Sequence, residues 1–269
     1  MPTIDLPTGA TLSYADAGEG RPILLLHGVC MSNQFFERNI DALAASHRVI
    51  APDFRSHGQS PQIEGGHTVD QYARDVRALI EALDLRDAIA VGWSMGSLVI
   101  WDYLSQFGDD SRLSGVVIVS QGPSDLTQDG WDYGIADMNT LHDFIRETQA
   151  DFGGFFDGFI PLMFKDELAP DQHTAFATAI ASVGANAGSL ILLDQTLRDY
   201  RELIPTLTIP HMLAWGRDEK VIPVASSEWL LAQLPNATRV LFEESGHCPM
   251  WEEPEAFNAT LTEWAAGLA

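Results

Sequence analysis

Residues Ala88 to Gly96 read Ala-Ile-Ala-Val-Gly-Trp-Ser-Met-Gly, a short apolar run followed at once by a Gly-x-Ser-x-Gly pentapeptide. Four consecutive apolar residues are typical of a strand that is buried on both faces, as in a parallel sheet. A helical pattern begins at the serine, and a tight strand-to-helix turn exposes its hydroxyl at the carboxyl ends of the strands. The same pentapeptide also occurs as an ordinary helix-capping turn. Its place after a buried strand favours the prediction that Ser94 is a catalytic nucleophile.

A serine hydroxyl is a weak nucleophile near neutral pH and needs an adjacent base. His247 lies in Ser245-Gly246-His247, directly after the last predicted strand, which would bring it to the same edge of the sheet as Ser94. The alternative is an unremarkable histidine in a surface loop. None of the other seven histidines occupies an equivalent loop late in the chain, so His247 is the predicted base.

The base in turn needs a carboxylate that holds one imidazole tautomer and stabilises the protonated ring. Asp218 follows the predicted strand Met212 to Trp215 within Trp-Gly-Arg-Asp, and it is the predicted acid. Aspartate is also common in solvated turns, which is the simpler explanation of this residue. Asp125, after the predicted strand Gly115 to Val119, is the rival candidate.

Strands and helices alternate along most of the chain, which predicts a doubly wound α/β fold with a mostly parallel sheet. An initial hairpin is predicted over Thr3 to Pro7 and Ala10 to Ala15. The remaining predicted strands are Pro22 to Leu26, Arg48 to Ala51, Ala88 to Val91, Gly115 to Val119, Met212 to Trp215 and Arg239 to Phe242. The main helical patterns are Val69 to Leu83, Ser94 to Leu104, Ser226 to Leu234 and Glu253 to Ala266.

One long segment after the sixth strand breaks this alternation. Residues 122–203 contain no convincing strand, but they contain helical patterns at Met138 to Thr148 and Gln172 to Val183. A structureless loop of that length is improbable in a compact domain. We therefore expect a helical lid at 122–203, inserted into a core domain formed by residues 1–121 and 204–269.

Taken together, these motifs resemble those of the α/β-hydrolase superfamily, in its lidded branch of esterases, lactonases and cofactor-free haloperoxidases. The matching elements are His27-Gly28, the segment Asp53 to Ser60, the Ser94 turn, Gly216-Arg217-Asp218 and Ser245-Gly246-His247, in the family's order of serine, acid and histidine. The combination spans nearly the whole chain. It is specific for the fold and says little about the substrate.

The resemblance implies an oxyanion hole formed by the backbone N–H groups of Val29 and Met95. Two preorganised donors aimed at one oxygen would stabilise a tetrahedral intermediate. Substrate contacts are expected from apolar and sulfur-containing side chains of the lid and of the segments beside the nucleophile. These are Cys30, Trp93, Trp131, Phe155, Phe159 and Met163. The alternative for the lid aromatics is that they form the lid's own core.

Composition narrows the classes of partner. The chain has 269 residues and a formal net charge of −23, so phosphate backbones and anionic membranes would repel it, and neither nucleic acid nor a membrane is expected as a partner. No spacing of ligand residues indicates a metal, no phosphate-binding loop is present, and no cofactor is expected. The N-terminal residues lack the basic and apolar pattern of a signal peptide, which predicts a cytoplasmic location. Oligomeric state is not encoded in any recognisable pattern.

Cys30 and Cys248 are too few for a disulfide framework. Both adjoin predicted site residues, which is compatible with a redox-sensitive pocket, but the favoured interpretation is that they are small packing residues.

The predicted function is hydrolysis of carboxylic esters of small, largely apolar substrates through an acyl-enzyme. The alternatives are a lactonase, including one acting on acyl-homoserine lactones, and a cofactor-free perhydrolase or haloperoxidase. A more distant alternative is a ligand receptor that retains the fold without turnover.

Overall fold

Each predicted strand forms a strand in the computed structural model, which describes residues 1–108 and 112–268. In chain order the strands are β1 (Thr3–Asp5), β2 (Thr11–Ala17), β3 (Pro22–Leu26), β4 (Arg48–Pro52), β5 (Ala88–Trp93), β6 (Leu113–Val119), β7 (His211–Gly216) and β8 (Ala237–Phe242). The predictions differ from these bounds by a few residues at the ends. The predicted core range includes 109–111 and 269, which lie outside the described residues.

All eight strands join one sheet in the order β1-β2-β4-β3-β5-β6-β7-β8. β1 pairs with β2 and β2 with β4 in the antiparallel sense, whereas the other neighbours are parallel. The predicted hairpin and the mostly parallel sheet are therefore confirmed. β5 lies near the middle, and every residue of it is buried, which explains its continuous apolar sequence.

The α-helices of the described residues account for the periodic segments of the sequence. They are α1 (Glu37–Ala44), α2 (Val69–Ala82), α3 (Met95–Phe107), α4 (Met138–Ala150), α5 (Phe152–Phe159), α6 (Pro170–Ala181), α7 (Ala185–Leu197), α8 (Val224–Gln233), α9 (Pro249–Glu252) and α10 (Pro254–Ala266). α5 was not predicted, because three glycines give it a low helix propensity. The Asp151 carboxylate caps it by accepting a hydrogen bond from Gly154 N at 2.9 Å.

Helices α4 to α7 all lie between β6 and β7, as a helical insertion. Its two ends meet, since Tyr200 N donates to Pro123 O at 2.9 Å. The Tyr200 hydroxyl also donates to Asp102 Oδ2 on α3, at 2.7 Å. The insertion therefore leaves the core and returns to it at one place. That 122–203 behaves as a separate lid domain stays a prediction.

A buried ion pair fixes the loop after β4 to α2. The Arg55 guanidinium donates to both carboxylate oxygens of Asp75, at 2.6 and 2.7 Å, and both side chains are almost fully buried. The next residue, Ser56, has φ +60°, a left-handed conformation that costs free energy for any residue with a Cβ. Ser56 Oγ accepts a hydrogen bond from Ile63 N at 3.0 Å, which helps to hold this turn.

By length and composition, no single described helix could span a bilayer, and only α6 and α7 taken together, across an 89° bend, pass such a test.

Candidate active site

Ser94 occupies the sharp turn between β5 and α3. Its backbone has φ +52° and ψ −123°, a strained conformation for a residue with a side chain. Gly96 allows the turn to lie against β3, because a Cβ on this residue would overlap Leu26 O. The Ser97 hydroxyl donates to Gly92 O at 2.6 Å and ties the start of the helix to the end of the strand. The surrounding structure thus holds the strained serine in place.

The loop after β3 lies directly against this serine. A Cβ placed on Gly28 would lie 3.3 Å from the Cβ of Ser94, and Val29 lines the cavity into which Ser94 faces. His27 holds the loop, since its Nε2 accepts from Phe54 N at 3.0 Å and its Nδ1 bonds to Gly28 O at 2.8 Å. Burial, with a smaller effect of nearby His57, keeps the pKa of His27 well below its usual range, so the ring is neutral. Met95 is the first residue of α3, where the N–H has no partner within the helix.

The buried partner of the predicted base is Glu219. His247 Nδ1 lies 2.9 Å from Glu219 Oε2, and the two side chains are 1% and 0% exposed. The other carboxylate oxygen accepts from Val221 N at 2.7 Å and from Ile222 N at 3.2 Å. Burial by itself raises the pKa of Glu219, but the imidazole charge and these hydrogen bonds lower it below its usual value overall. The site therefore contains a buried carboxylate that is ionised and directed at the base.

The prediction that Asp218 orients His247 is wrong. The Asp218 side chain is 45% exposed, and its Oδ2 lies 3.0 Å from Lys165 Nζ at the surface. The reason is local, because successive side chains in this turn point in different directions and only the second carboxylate faces inward. Asp218 N still helps to place the loop, since it donates to Ser245 O at 3.0 Å.

The sequence contains a weak signal for the correct residue. Two residues after Glu219, beyond Lys220, comes the apolar group Val221-Ile222-Pro223, which leads into α8. A carboxylate just before such a group can accept the free N–H groups of the turn, which is what Glu219 does. Two adjacent acidic residues with the same neighbours could not be separated by strand position alone.

Trp93 connects the serine turn to the histidine loop. Its Nε1 donates to His247 O at 2.9 Å, and the two ring centroids are 5.7 Å apart. His247 N donates to Met163 O at 2.9 Å, so the insertion also supports this loop. Among the described hydrogen bonds, none joins the Ser94 hydroxyl to the His247 ring, and catalytic hydrogen bonds often tighten only when substrate is present.

A cavity of about 470 Å³ opens beside Ser94 and is covered by the helical insertion. Most of its wall is apolar. Apolar side chains in the wall include Val29, Ile135, Phe144, Phe155, Phe156, Phe159, Leu162, Leu192, Val221 and Ile222. Phe155 and Phe159 thus stand where the sequence predicted substrate contacts, and that role stays a prediction.

Four other predicted contact residues are not in this wall among the described residues. Trp93 donates a hydrogen bond from Nε1 to His247 O. Met163 is buried, and its backbone oxygen accepts a hydrogen bond from His247 N. Trp131 is buried against Trp229, with its Nε1 donating to Ser124 O at 2.9 Å. Cys30 is fully buried in the loop after β3, where its backbone has φ +57°. Their aromatic or sulfur character reflects packing, so the predicted contacts from these four are wrong for this cavity.

Both thiols are free and buried. Burial raises the pKa of both Cys30 and Cys248, and nearby Glu252 and Glu219 add to the effect at Cys248. Because the thiolate is the reactive form, these cysteines are suited to packing rather than to redox chemistry.

Three buried polar side chains also line the cavity. Asp125 Oδ1 accepts from Gln121 Nε2 at 2.6 Å, and Oδ2 accepts from Gln195 Nε2 at 3.2 Å. Burial raises the pKa of Asp125 to about 6, although its two amide donors and the charge of His247 act in the opposite direction. Asp125, the rival candidate for the acid, is therefore part of the cavity wall, and the contact with the His247 ring is made by Glu219.

Comparisons with known proteins agree with this architecture. Residues 21–254 match the model of the alpha/beta hydrolase fold family. The AB hydrolase superfamily protein YisY of Bacillus subtilis is 28% identical over 265 residues, with 95% of each chain covered. A non-heme chloroperoxidase of Streptomyces lividans is 29% identical, covering 97% of this chain and 98% of the relative. Among solved structures, an esterase from Exiguobacterium antarcticum superposes with a TM-score of 0.93 at 25% identity, with 98% of each chain covered.

Proposed function

Because the chain belongs to the alpha/beta hydrolase fold family, we propose that it is a serine hydrolase that cleaves carboxylic esters of small, largely apolar substrates. The observation that supports this proposal most directly is the buried His247–Glu219 pair, which adjoins the strained turn of Ser94. A base oriented by an ionised carboxylate, beside a nucleophile on a strand-to-helix turn, is the arrangement that acyl transfer requires.

In the proposed reaction, His247 takes the hydroxyl proton of Ser94 as its oxygen attacks the ester carbonyl. The carbonyl oxygen becomes an oxyanion, which the N–H groups of Val29 and Met95 stabilise, each by about 3 kcal/mol. His247 then gives the proton to the leaving alkoxide, and an acyl-enzyme remains. A water molecule, deprotonated by His247, attacks the acyl group and releases the acid and free Ser94. Throughout, Glu219 holds the ring through Nδ1, so that Nε2 serves Ser94.

The cavity sets the expected size and polarity of the substrate. A volume of about 470 Å³ is within the usual range for small-molecule pockets, and its aromatic wall suits an apolar acyl or alcohol group. The esterase from Exiguobacterium antarcticum carries its named activity on an architecture that is similar along nearly the whole chain.

A panel of nitrophenyl esters of increasing acyl length tests the proposal. We expect multiple turnovers for short and medium chains, and we expect Ser94→Ala to lose activity by at least about 10⁴-fold, because the nucleophile is gone. A fluorophosphonate probe should label Ser94, as shown by mass spectrometry of the peptide. Ser182→Ala, an exposed serine at the end of α6, is the matched control and should behave as the wild type. Full ester turnover by Ser94→Ala would refute the assignment.

Two related activities use the same steps. A lactone is a cyclic ester, and hydrogen peroxide can replace water in the attack on the acyl-enzyme. The second reaction merits a direct test, since the Streptomyces lividans relative is named a non-heme chloroperoxidase. Adding lactones, and separately peroxide with a carboxylic acid, to the same assay would assign the activities. A receptor on this fold would instead show a single turnover with retained product.

A further inference from the structure

One residue of the cavity wall carries a buried oxygen atom with an unmet hydrogen-bonding capacity. Gln195, on α7 of the helical insertion, is 3% exposed, and no described residue donates a hydrogen bond to its Oε1. A buried amide oxygen without a donor costs free energy, so such groups in folded proteins are few and often functional. The residue lines the same cavity as Ser94.

The orientation of this amide follows from its neighbour. Gln195 Nε2 donates to Asp125 Oδ2 at 3.2 Å, and Asp125 is ionised above a pH of about 6. Turning the amide over would place two oxygens against each other, one of them charged. The unpartnered atom is therefore the acceptor Oε1 and not the NH₂ group.

The carboxylate itself is already engaged. Asp125 is 2% exposed, and each of its oxygens accepts a hydrogen bond, from Gln121 and from Gln195 respectively. Neighbouring parts of the wall, such as Ile135 and Leu192, are apolar. Gln195 Oε1 has almost no accessible surface in the structure, so a ligand in the cavity reaches it after a small movement of this side chain. The group it then meets is a neutral hydrogen-bond acceptor, on an amide that the charged Asp125 holds through Nε2. A neutral donor, a hydroxyl or an amide N–H, fits it without the cost of removing an ammonium ion from water.

We propose that Gln195 Oε1 is a specificity subsite that accepts a hydrogen bond from a hydroxyl or amide N–H on the substrate, at a distance from the scissile ester. The inference rests on the proposed ester hydrolysis and narrows its substrate class to esters whose chain carries such a donor. Gln195 binds the substrate in this scheme, whereas Asp125 and Gln121 are positioning residues that hold its amide.

The test compares methyl esters that differ in one group. Methyl hexanoate is the plain substrate, and the hydroxyl is moved one carbon at a time along its chain, with proton release followed by an indicator. For the preferred position, the methoxy analogue removes the donor and the amino analogue replaces it with an ammonium ion. We expect kcat/KM to be highest for the hydroxyl compound, by about tenfold over the methoxy analogue, which is the usual effect of one buried hydrogen bond.

Gln195→Leu should abolish this preference, because leucine has similar volume and cannot accept. Gln195→Met keeps the chain length and should do the same, which protects the test against a folding defect in either variant. The matched control is Gln149→Leu, also on the insertion but exposed and outside the cavity wall, where the preference should persist. The readout is the ratio of kcat/KM values, which a general loss of activity does not change.

An unchanged ratio in both Gln195 variants, or no preference for any hydroxyl position in the wild type, would overturn the proposal. A preference for the amino analogue would also overturn it, in favour of a cation site at Asp125. If the wild type cleaves no ester, the proposed function fails separately. Calorimetric binding of the hydroxyl and methoxy compounds to Ser94→Ala then still decides whether the subsite exists.

Discussion

His247 Nδ1 lies 2.9 Å from the carboxylate of Glu219, while the carboxylate of the preceding residue, Asp218, lies at the surface 3.0 Å from Lys165. Two acidic neighbours in one turn therefore face opposite environments. One is sealed from water and held by Val221 N and Ile222 N, so its charge acts on the imidazole at short range. The other is screened by solvent, and its pairing has little effect on the site.

We expect Glu219→Gln to reduce kcat for ester hydrolysis by about 10³- to 10⁴-fold, because the amide can neither fix the imidazole tautomer nor stabilise its charged form. Steady-state kinetics with a nitrophenyl ester measures the effect. The adjacent Asp218→Asn removes one negative charge from the same turn and should change kcat by less than about twofold. A larger loss of kcat in Asp218→Asn than in Glu219→Gln would instead assign the role of the acid to Asp218.

The sequence did not identify Glu219 as the carboxylate that contacts His247. The order of serine, acid and histidine, and the strand ends that carry them, follow from apolar runs and turn residues, which are local properties. Whether Asp218 or Glu219 points inward depends on the backbone angles of one turn, and these are fixed by contacts with distant residues such as Ser245. The roles of side chains in the insertion could not be predicted from the sequence for the same reason. Trp131 and Phe155 are both aromatic, and only the packing of the folded chain makes the first a core residue and the second part of the cavity wall.

We expect Asp75→Asn to lower the free energy of unfolding by about 3 to 5 kcal/mol, because the Arg55 guanidinium would remain buried without its counter-charge. Urea unfolding followed by circular dichroism measures it. The control is Asp16→Asn, which breaks a similar two-bond pair with Arg48 where both side chains are partly exposed. That variant should lose at most about 1 kcal/mol. Equal losses for the two variants would mean that burial does not determine the strength of the Arg55–Asp75 pair.

Most of the sheet was predictable because strands such as β5 are apolar on both faces and are separated by turn residues. The insertion was predictable as a helical segment but not in its detail. α7 was missed because it is apolar on most sides, with residues such as Ile191 buried and Leu190 and Leu193 exposed, so no polar stripe reveals its period. Leu192 and Gln195 of α7 line the cavity. This could not be predicted from the sequence, because it depends on how the insertion folds over Ser94.

Asp125 gives a prediction for the pH dependence of stability. Its pKa is about 6 in the folded protein against an ordinary value of 3.8, so the folded state binds its proton more tightly than the unfolded state does. As pH rises through this window, the unfolded chain gives up the proton first, and the folded state loses up to about 3 kcal/mol relative to it. Above a pH of about 6 the loss is complete. Asparagine does not titrate, so the stability of Asp125→Asn relative to the wild type should rise between a pH of about 4 and about 6 and then stay constant.

Urea unfolding of both proteins at a series of pH values measures this difference directly. The exposed Asp218→Asn is the control, since replacing a solvent-screened carboxylate should change the free energy of unfolding only slightly. A flat difference for Asp125→Asn across the pH series would mean that the folded protein does not raise the pKa of this carboxyl. The expected rise would instead show that the chain keeps an ionised, destabilising carboxylate in the wall of its cavity. Such a cost is characteristic of groups retained for function rather than for folding.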